Sequence, residues 1–135
     1  MAYLGEEIKK LGFGMMRLPR IDGEIDIEQS KKMVDIFMNA GFTYFDTAYV
    51  YGGSEEAVKK SLVERYPRES YQLATKMAAW VNNGNDVTNQ LEESLKRTGA
   101  GYFDFYLMHN LARIEQSNMR SLEYGSTLRR RKVRV

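Results

Sequence analysis

The sequence predicts an α/β fold, a parallel sheet with helices packed against it. Short apolar runs rich in aromatic and β-branched residues alternate with stretches of helical period. The connections between the runs are long enough for right-handed crossovers. The order that results, β-α-β-α-β-α-β, is the pattern of a parallel sheet covered by helices.

Leu11-Gly12-Phe13-Gly14-Met15-Met16 is short, apolar and glycine-punctuated, and reads as the first strand. Pro19 and Asp22-Gly23 then mark a loop. Asp26 with Gln29 three residues on makes a capping box, and Met33, Val34, Phe37 and Met38 follow at helical spacing up to Gly41. Residues 43–48 are the second strand. Gly52-Gly53 turns the chain, and Ser54 is expected to cap a helix with Glu55 and Glu56 in its first turn. Val58, Leu62 and Tyr66 form its apolar stripe, and Pro67 stops it. Residues 71–77 are the third strand, and Asp86 is expected to cap a third helix through Val87, Leu91 and Leu95 to Gly99. Residues 102–108 are the fourth strand. Two architectures fit this order, a doubly wound sheet and a (β/α)8 barrel. A full barrel takes roughly 250 residues, and this chain holds four strands and three helices of one.

Composition narrows the function. The 135 residues are 43% hydrophobic and 28% charged, which suits one globular domain. There is no cysteine, which excludes disulfides and thiolate metal sites, and a single histidine argues against zinc. No run reaches the ~18 apolar residues of a membrane span. Glu6, Glu7, Lys9 and Lys10 stand where a signal peptide needs an apolar core. A cytoplasmic protein with no membrane partner is the expectation. Residues 1–111 carry 13 Lys/Arg against 16 Asp/Glu, whereas residues 112–135 carry 7 against 2. The division expected is a folded part, 1–111, and a basic, poorly ordered tail, 112–135. The tail would give only weak, salt-sensitive binding to nucleic acid, so no nucleic-acid partner is expected.

Three ionisable residues each end their own apolar run: Asp46, Lys76 and His109. In a parallel sheet those ends open on one face. Taken singly, each has a plain structural explanation: a strand-end acid, a lysine snorkelling to water, a lone histidine in a packing role. Asp46 and Lys76 at corresponding ends of successive strands nevertheless suggest an ion pair. Tyr51 lies just beyond Asp46. A nearby ammonium favours a phenolate, and a phenol tuned in this way can give a proton to a developing alkoxide. His109 could orient a carbonyl. Trp80, after the third strand, could wall an apolar substrate pocket. Tyr44, Tyr49, Tyr66 and Tyr71 are better explained by packing, and Asp104, at the start of the fourth strand, belongs to the stabilising end of the sheet. Met15, Met16, Met77 and Met108 read as core or pocket lining. Gly12-Phe13-Gly14 lacks the third glycine of a dinucleotide fingerprint.

On these residues the chain resembles the aldo-keto reductases. The matching motifs are Leu11-Gly12-Phe13-Gly14-Met15-Met16-Arg17-Leu18-Pro19, Phe45-Asp46-Thr47-Ala48-Tyr49-Val50-Tyr51-Gly52-Gly53-Ser54-Glu55, Ala74-Thr75-Lys76 and Leu107-Met108-His109-Asn110, covering about residues 8–111. The resemblance implies the N-terminal half of a (β/α)8 barrel, an incomplete TIM barrel, and an oxidoreductase that reduces an aldehyde or ketone with NADPH or NADH. It implies Asp46, Tyr51, Lys76 and His109 as the catalytic four, with Tyr51 the general acid. Gly14, Met15, Met16 and Asp46 would lie near the nicotinamide, and Tyr51, Trp80 and His109 near a small carbonyl substrate. Past Asn110 the chain departs from the family pattern, which leads to the expectation of a truncated or out-of-frame end. The alternative that follows is a non-catalytic half barrel without a cofactor site, a scaffold remnant that self-associates through open sheet edges.

Overall fold

The computed structural model describes residues 7–78, 80 and 84–110; of residues 84–88 only the backbone is described. The strand β1 (Gly12–Gly14) is followed by a small antiparallel hairpin, β2 (Arg20–Ile21) and β3 (Glu24–Ile25). Helix α1 (Ile27–Asn39) leads to β4 (Tyr44–Asp46), and α2 (Ser54–Val58) runs on into a π-helical turn, Lys59–Val63. A short 3-10 turn, Arg68–Ser70, precedes β5 (Gln72–Ala78). Helix α3 (Gly84–Thr98) and strand β6 (Phe105–His109) complete the described order.

The main sheet has the order β1-β4-β5-β6, every pair parallel. Each strand alternates its side chains between two faces. Phe13, Phe45, Leu73 and Tyr106 point to one of them and meet Val34 and Phe37 of α1, Val58 of α2, Leu62 of the π turn and Leu91 of α3 in a single core. Phe37 stands edge-on to both Phe13 and Phe45, at 5.3 and 5.2 Å between ring centroids. All three helices therefore cover the same face of the sheet. A doubly wound sheet would put helices on both faces, so among the described residues the arrangement is that of a barrel wall.

Local chemistry accounts for the helix ends, with two departures from expectation. Asp26 caps α1 as its position suggests: its Oδ1 accepts from the Gln29 amide at 3.0 Å. The Asp26 amide, however, donates to the Pro19 carbonyl at 2.8 Å rather than to a glutamine side chain, so only half of a capping box forms. Ser54 does not cap α2. It is the first helical residue, Gly53 is the cap, and the Ser54 hydroxyl instead joins β1 to β4. The helix expected to start after Asp86 starts at Gly84, and the side chain of Asp86 lies outside the described residues. Within the loop expected between Pro19 and Gly23, Arg20–Ile21 form strand β2, and Asp22 and Gly23 are the hairpin turn, both at positive φ, as a two-residue hairpin turn requires. β1 and β4 are shorter at both ends than the apolar runs; β5 is shifted one residue towards the C-terminus, and β6 starts three residues later and ends one later than expected.

At the N-terminal ends of the strands, Asp104 accepts from Arg68 at 2.7 Å and from the Leu73 amide at 2.9 Å. The Arg68 guanidinium lies 3.7 Å from the centroid of the Tyr102 ring. This end of the sheet is a buried structural clasp, as expected of Asp104. Among the described residues no helix is long and apolar enough to cross a membrane. The basic tail lies outside them.

Candidate active site

Strand register decides which side chains share the uncovered face. Gly14 pairs with Asp46, Asp46 with Ala74, Lys76 with Leu107, and Ala78 with His109. Paired residues of parallel strands, and residues two apart on one strand, face the same way. Asp46, Lys76 and His109 therefore project from the face opposite the helices, at the C-terminal ends of three neighbouring strands.

Lys76 Nζ donates to Asp46 Oδ2 at 2.5 Å and to the Thr47 carbonyl at 2.9 Å. The side chains keep 18% and 29% of their exposure, so the pair is partly desolvated and needs both contacts. The same ammonium lies 5.1 Å from the centroid of the Tyr51 ring. That ring stands edge-on to the His109 imidazole, with centroids 5.4 Å apart and planes at 89°. The Trp80 ring also packs against His109, with centroids 5.7 Å apart, and remains 38% exposed. The four predicted polar residues thus form one cluster, with Trp80 as its wall.

His109 is the electrostatically unusual member. Burial holds its imidazole below the ordinary value of 6.5, the Lys76 ammonium adds to this, and Asp46 opposes it. Among the described residues, its Nδ1 is buried without a hydrogen-bond partner. A neutral imidazole at a polar rim is suited to binding a neutral carbonyl group.

The turn that brings Tyr51 over Lys76 is fastened in several places. The Tyr51 amide donates to the Ala48 carbonyl at 3.0 Å, and its own carbonyl accepts from the Ser54 amide at 2.9 Å. Gly53 follows at φ +76°, a conformation costly for any residue with a Cβ. The Tyr49 amide donates to the Lys76 carbonyl at 3.0 Å, which continues the pairing between β4 and β5 beyond the strand end. Thr47 Oγ1 and Ser54 Oγ share a hydrogen bond of 2.7 Å, and Ser54 Oγ donates to the Met15 carbonyl at 2.9 Å.

Of the residues expected near a cofactor, Gly14 and Met16 present surface. Among the described residues, a Cβ on Gly14 would meet nothing within 4 Å, so its bare Cα borders open space beside Asp46. Met16 is 56% exposed. Met15 differs: its side chain is fully buried in the core, its amide donates to the Asp46 carbonyl and its own carbonyl accepts from Ser54. It supports the rim from below and has no group free for a ligand. Met77 is likewise core, while Met108 is partly exposed.

Sequence reasoning missed Glu55. Favourable charge at a helix start accounts for an acid at this position, yet Glu55 is 1% exposed and engaged by Thr75 Oγ1 at 2.9 Å and Arg97 at 3.3 Å. The signal was present in the charge pattern, an acid in the first turn of one helix and an arginine in the last turn of the next. Nothing in one sequence links the two positions.

The sequence profile of the aldo/keto reductase family matches residues 10–127. The chain belongs to the aldo/keto reductase family. It is 33% identical to Aldehyde reductase YPR1 of Saccharomyces cerevisiae, over 78% of this chain and 31% of that protein. The fold matches the crystal structure of the thermostable aldo-keto reductase Tm1743 bound to the inhibitor epalrestat, with a TM-score of 0.71 and 28% identity over 96% of this chain and 48% of that one. It also matches the Bombyx mori aldo-keto reductase in complex with NADP, with a TM-score of 0.60 and 29% identity over 73% of this chain and 33% of that one. The fold is thus a part of the (β/α)8 barrel of these oxidoreductases, and the chain spans about a third of the length of the curated relatives it matches.

Proposed function

We propose that this part of an aldo/keto reductase carries the proton-donating side of a carbonyl reductase site that works with NADPH. The observation that supports this best is the contact chain Asp46–Lys76–Tyr51–His109, one ion pair and two ring contacts at a single rim.

Tyr51 is the general acid, giving the proton of its hydroxyl to the carbonyl oxygen as negative charge develops there. Lys76 faces the negative charge that this transfer leaves on the phenol, and Asp46 holds the ammonium in place. His109, neutral because it is buried beside Lys76, orients the carbonyl through a ring nitrogen. Trp80 excludes water from the apolar side of a small aldehyde or ketone. When bound, the nicotinamide supplies the hydride. The residues present fit its ring: Gly14 leaves room beside Asp46, and Met16 offers an apolar surface. The Bombyx mori relative was solved with NADP, which supports the choice of cofactor.

Cofactor binding is tested with the one tryptophan of the chain as reporter. NADPH titrated into the full chain should quench Trp80 fluorescence to saturation, and unlabelled NADP should compete. No saturable change at high micromolar cofactor would overturn the reading in favour of a half barrel without a cofactor site.

A further inference from the structure

We propose that Arg97 is the positioning residue for Tyr51, clamping the loop that carries the phenol onto the strand that carries Lys76. The proposal rests on the reading of Tyr51 above.

Arg97 lies in the last turn of α3. Its Nη1 donates to the Tyr49 carbonyl at 3.1 Å, two residues before Tyr51, and its guanidinium lies 4.6 Å from the centroid of the Tyr49 ring. The same nitrogen donates to Glu55 Oε2 at 3.3 Å, four residues after Tyr51. The other oxygen of Glu55 accepts from Thr75, the strand neighbour of Lys76. Arg97 Nε is held from its own helix by Glu93 at 3.2 Å. One guanidinium thus grips both flanks of the Tyr51 turn and, through a buried carboxylate, the strand beneath it.

The chemistry suits arginine and no other residue. A buried carboxylate needs a partner. The planar fork reaches a carbonyl and two carboxylates at once with fixed geometry, which an ammonium on a flexible stem cannot do. Without the fork, the turn keeps its backbone hydrogen bonds, including the one from the Tyr49 amide to the Lys76 carbonyl, but loses the side-chain bracing that holds the stretch from Tyr49 to Glu55 against α3 and Thr75. Misplacing a proton donor by about 1 Å can lower turnover about 10²-fold.

The test uses His109, the only histidine of the chain, whose imidazole proton signals are therefore unique in an NMR spectrum. The Tyr51 ring stands edge-on to it and shifts those signals by its ring current. Tyr51→Ala sets the position without the ring. In the full-length chain, Arg97→Gln should move the His109 signals most of the way to the Tyr51→Ala position. Arg97→Lys, which keeps a positive charge opposite Glu55 and so protects the fold, should show the same displacement. Aldehyde turnover in either variant should fall about 10²-fold, chiefly in kcat. A folded variant whose His109 signals coincide with those of the unsubstituted chain would overturn the clamp. The two readings separate cleanly. If the unsubstituted chain never oxidises NADPH yet Arg97→Gln displaces His109, the catalytic reading falls and the clamp stands. If the chain is active and His109 does not move, the clamp alone falls.

Discussion

At the residue scale, the site is an exercise in placing a neutral base beside a cation. His109 is held below its ordinary value of 6.5, first by burial and then by Lys76. The folded chain thus takes up the imidazole proton less readily than the unfolded chain. Above the ordinary value both states are neutral and His109 leaves stability unchanged. As the pH falls through that value, the unfolded state gains the proton first and stability drops, levelling off only below the folded value. Urea midpoints of the unsubstituted chain should therefore decline relative to those of His109→Gln between about pH 7.5 and pH 5. A difference that stays flat with pH would contradict the assigned environment. Which residues gather here was legible in the sequence, because Asp46 and His109 end their strands, Lys76 lies two residues from the end of its own, and strand alternation fixes which way such side chains face. Glu55 was not legible, because the partners of its buried carboxylate, Thr75 and Arg97, arrive 20 and 42 residues later.

At the element scale, short pieces do the positioning. β4 contributes three residues, yet its register places Asp46 between Gly14 and Ala74, and the turn behind it presents Tyr51. That turn depends on Gly53 at φ +76°, where a Cβ would also come within 3.2 Å of Ile25 Cδ1. Gly53→Ala should cost about 1–2 kcal/mol in stability, read from a urea unfolding curve. Because the strain is relieved by shifting the turn, it should also displace the His109 signals. The Asp26 cap was readable from local chemistry, since a cap is made by residues three apart. The role of Ser54 was not. Its hydroxyl finds Thr47 and the Met15 carbonyl, and the second lies 39 residues away, just past the end of β1. The β2–β3 hairpin was missed for a different reason: two-residue strands leave no period to read, and Asp22-Gly23 marks only the turn between them.

At the scale of the whole molecule, the helices and the polar cluster of Asp46, Lys76, Tyr51 and His109 occupy opposite faces of one parallel sheet. The helix side closes on the aromatic core around Phe45 and Phe37. The other side carries the Tyr44–Phe105 ring pair at its base and the Asp46–Lys76 pair at its rim, with Leu107 still 42% exposed. Sequence pattern alone left a doubly wound sheet and a barrel open, because periodicity says which side chains are apolar but not on which side of a sheet a crossover passes. The one-sided helical cover decides between them, and the likeness to solved aldo-keto reductases agrees. The proposal that this wall carries proton donation is tested most directly by following NADPH oxidation with an aldehyde in the full chain and in Tyr51→Phe, which keeps the ring and removes only the hydroxyl. The expected result is aldehyde-dependent oxidation in the first and a rate lower by about 10²-fold or more in the second. Equal rates in the two chains, or no oxidation by either, would contradict it.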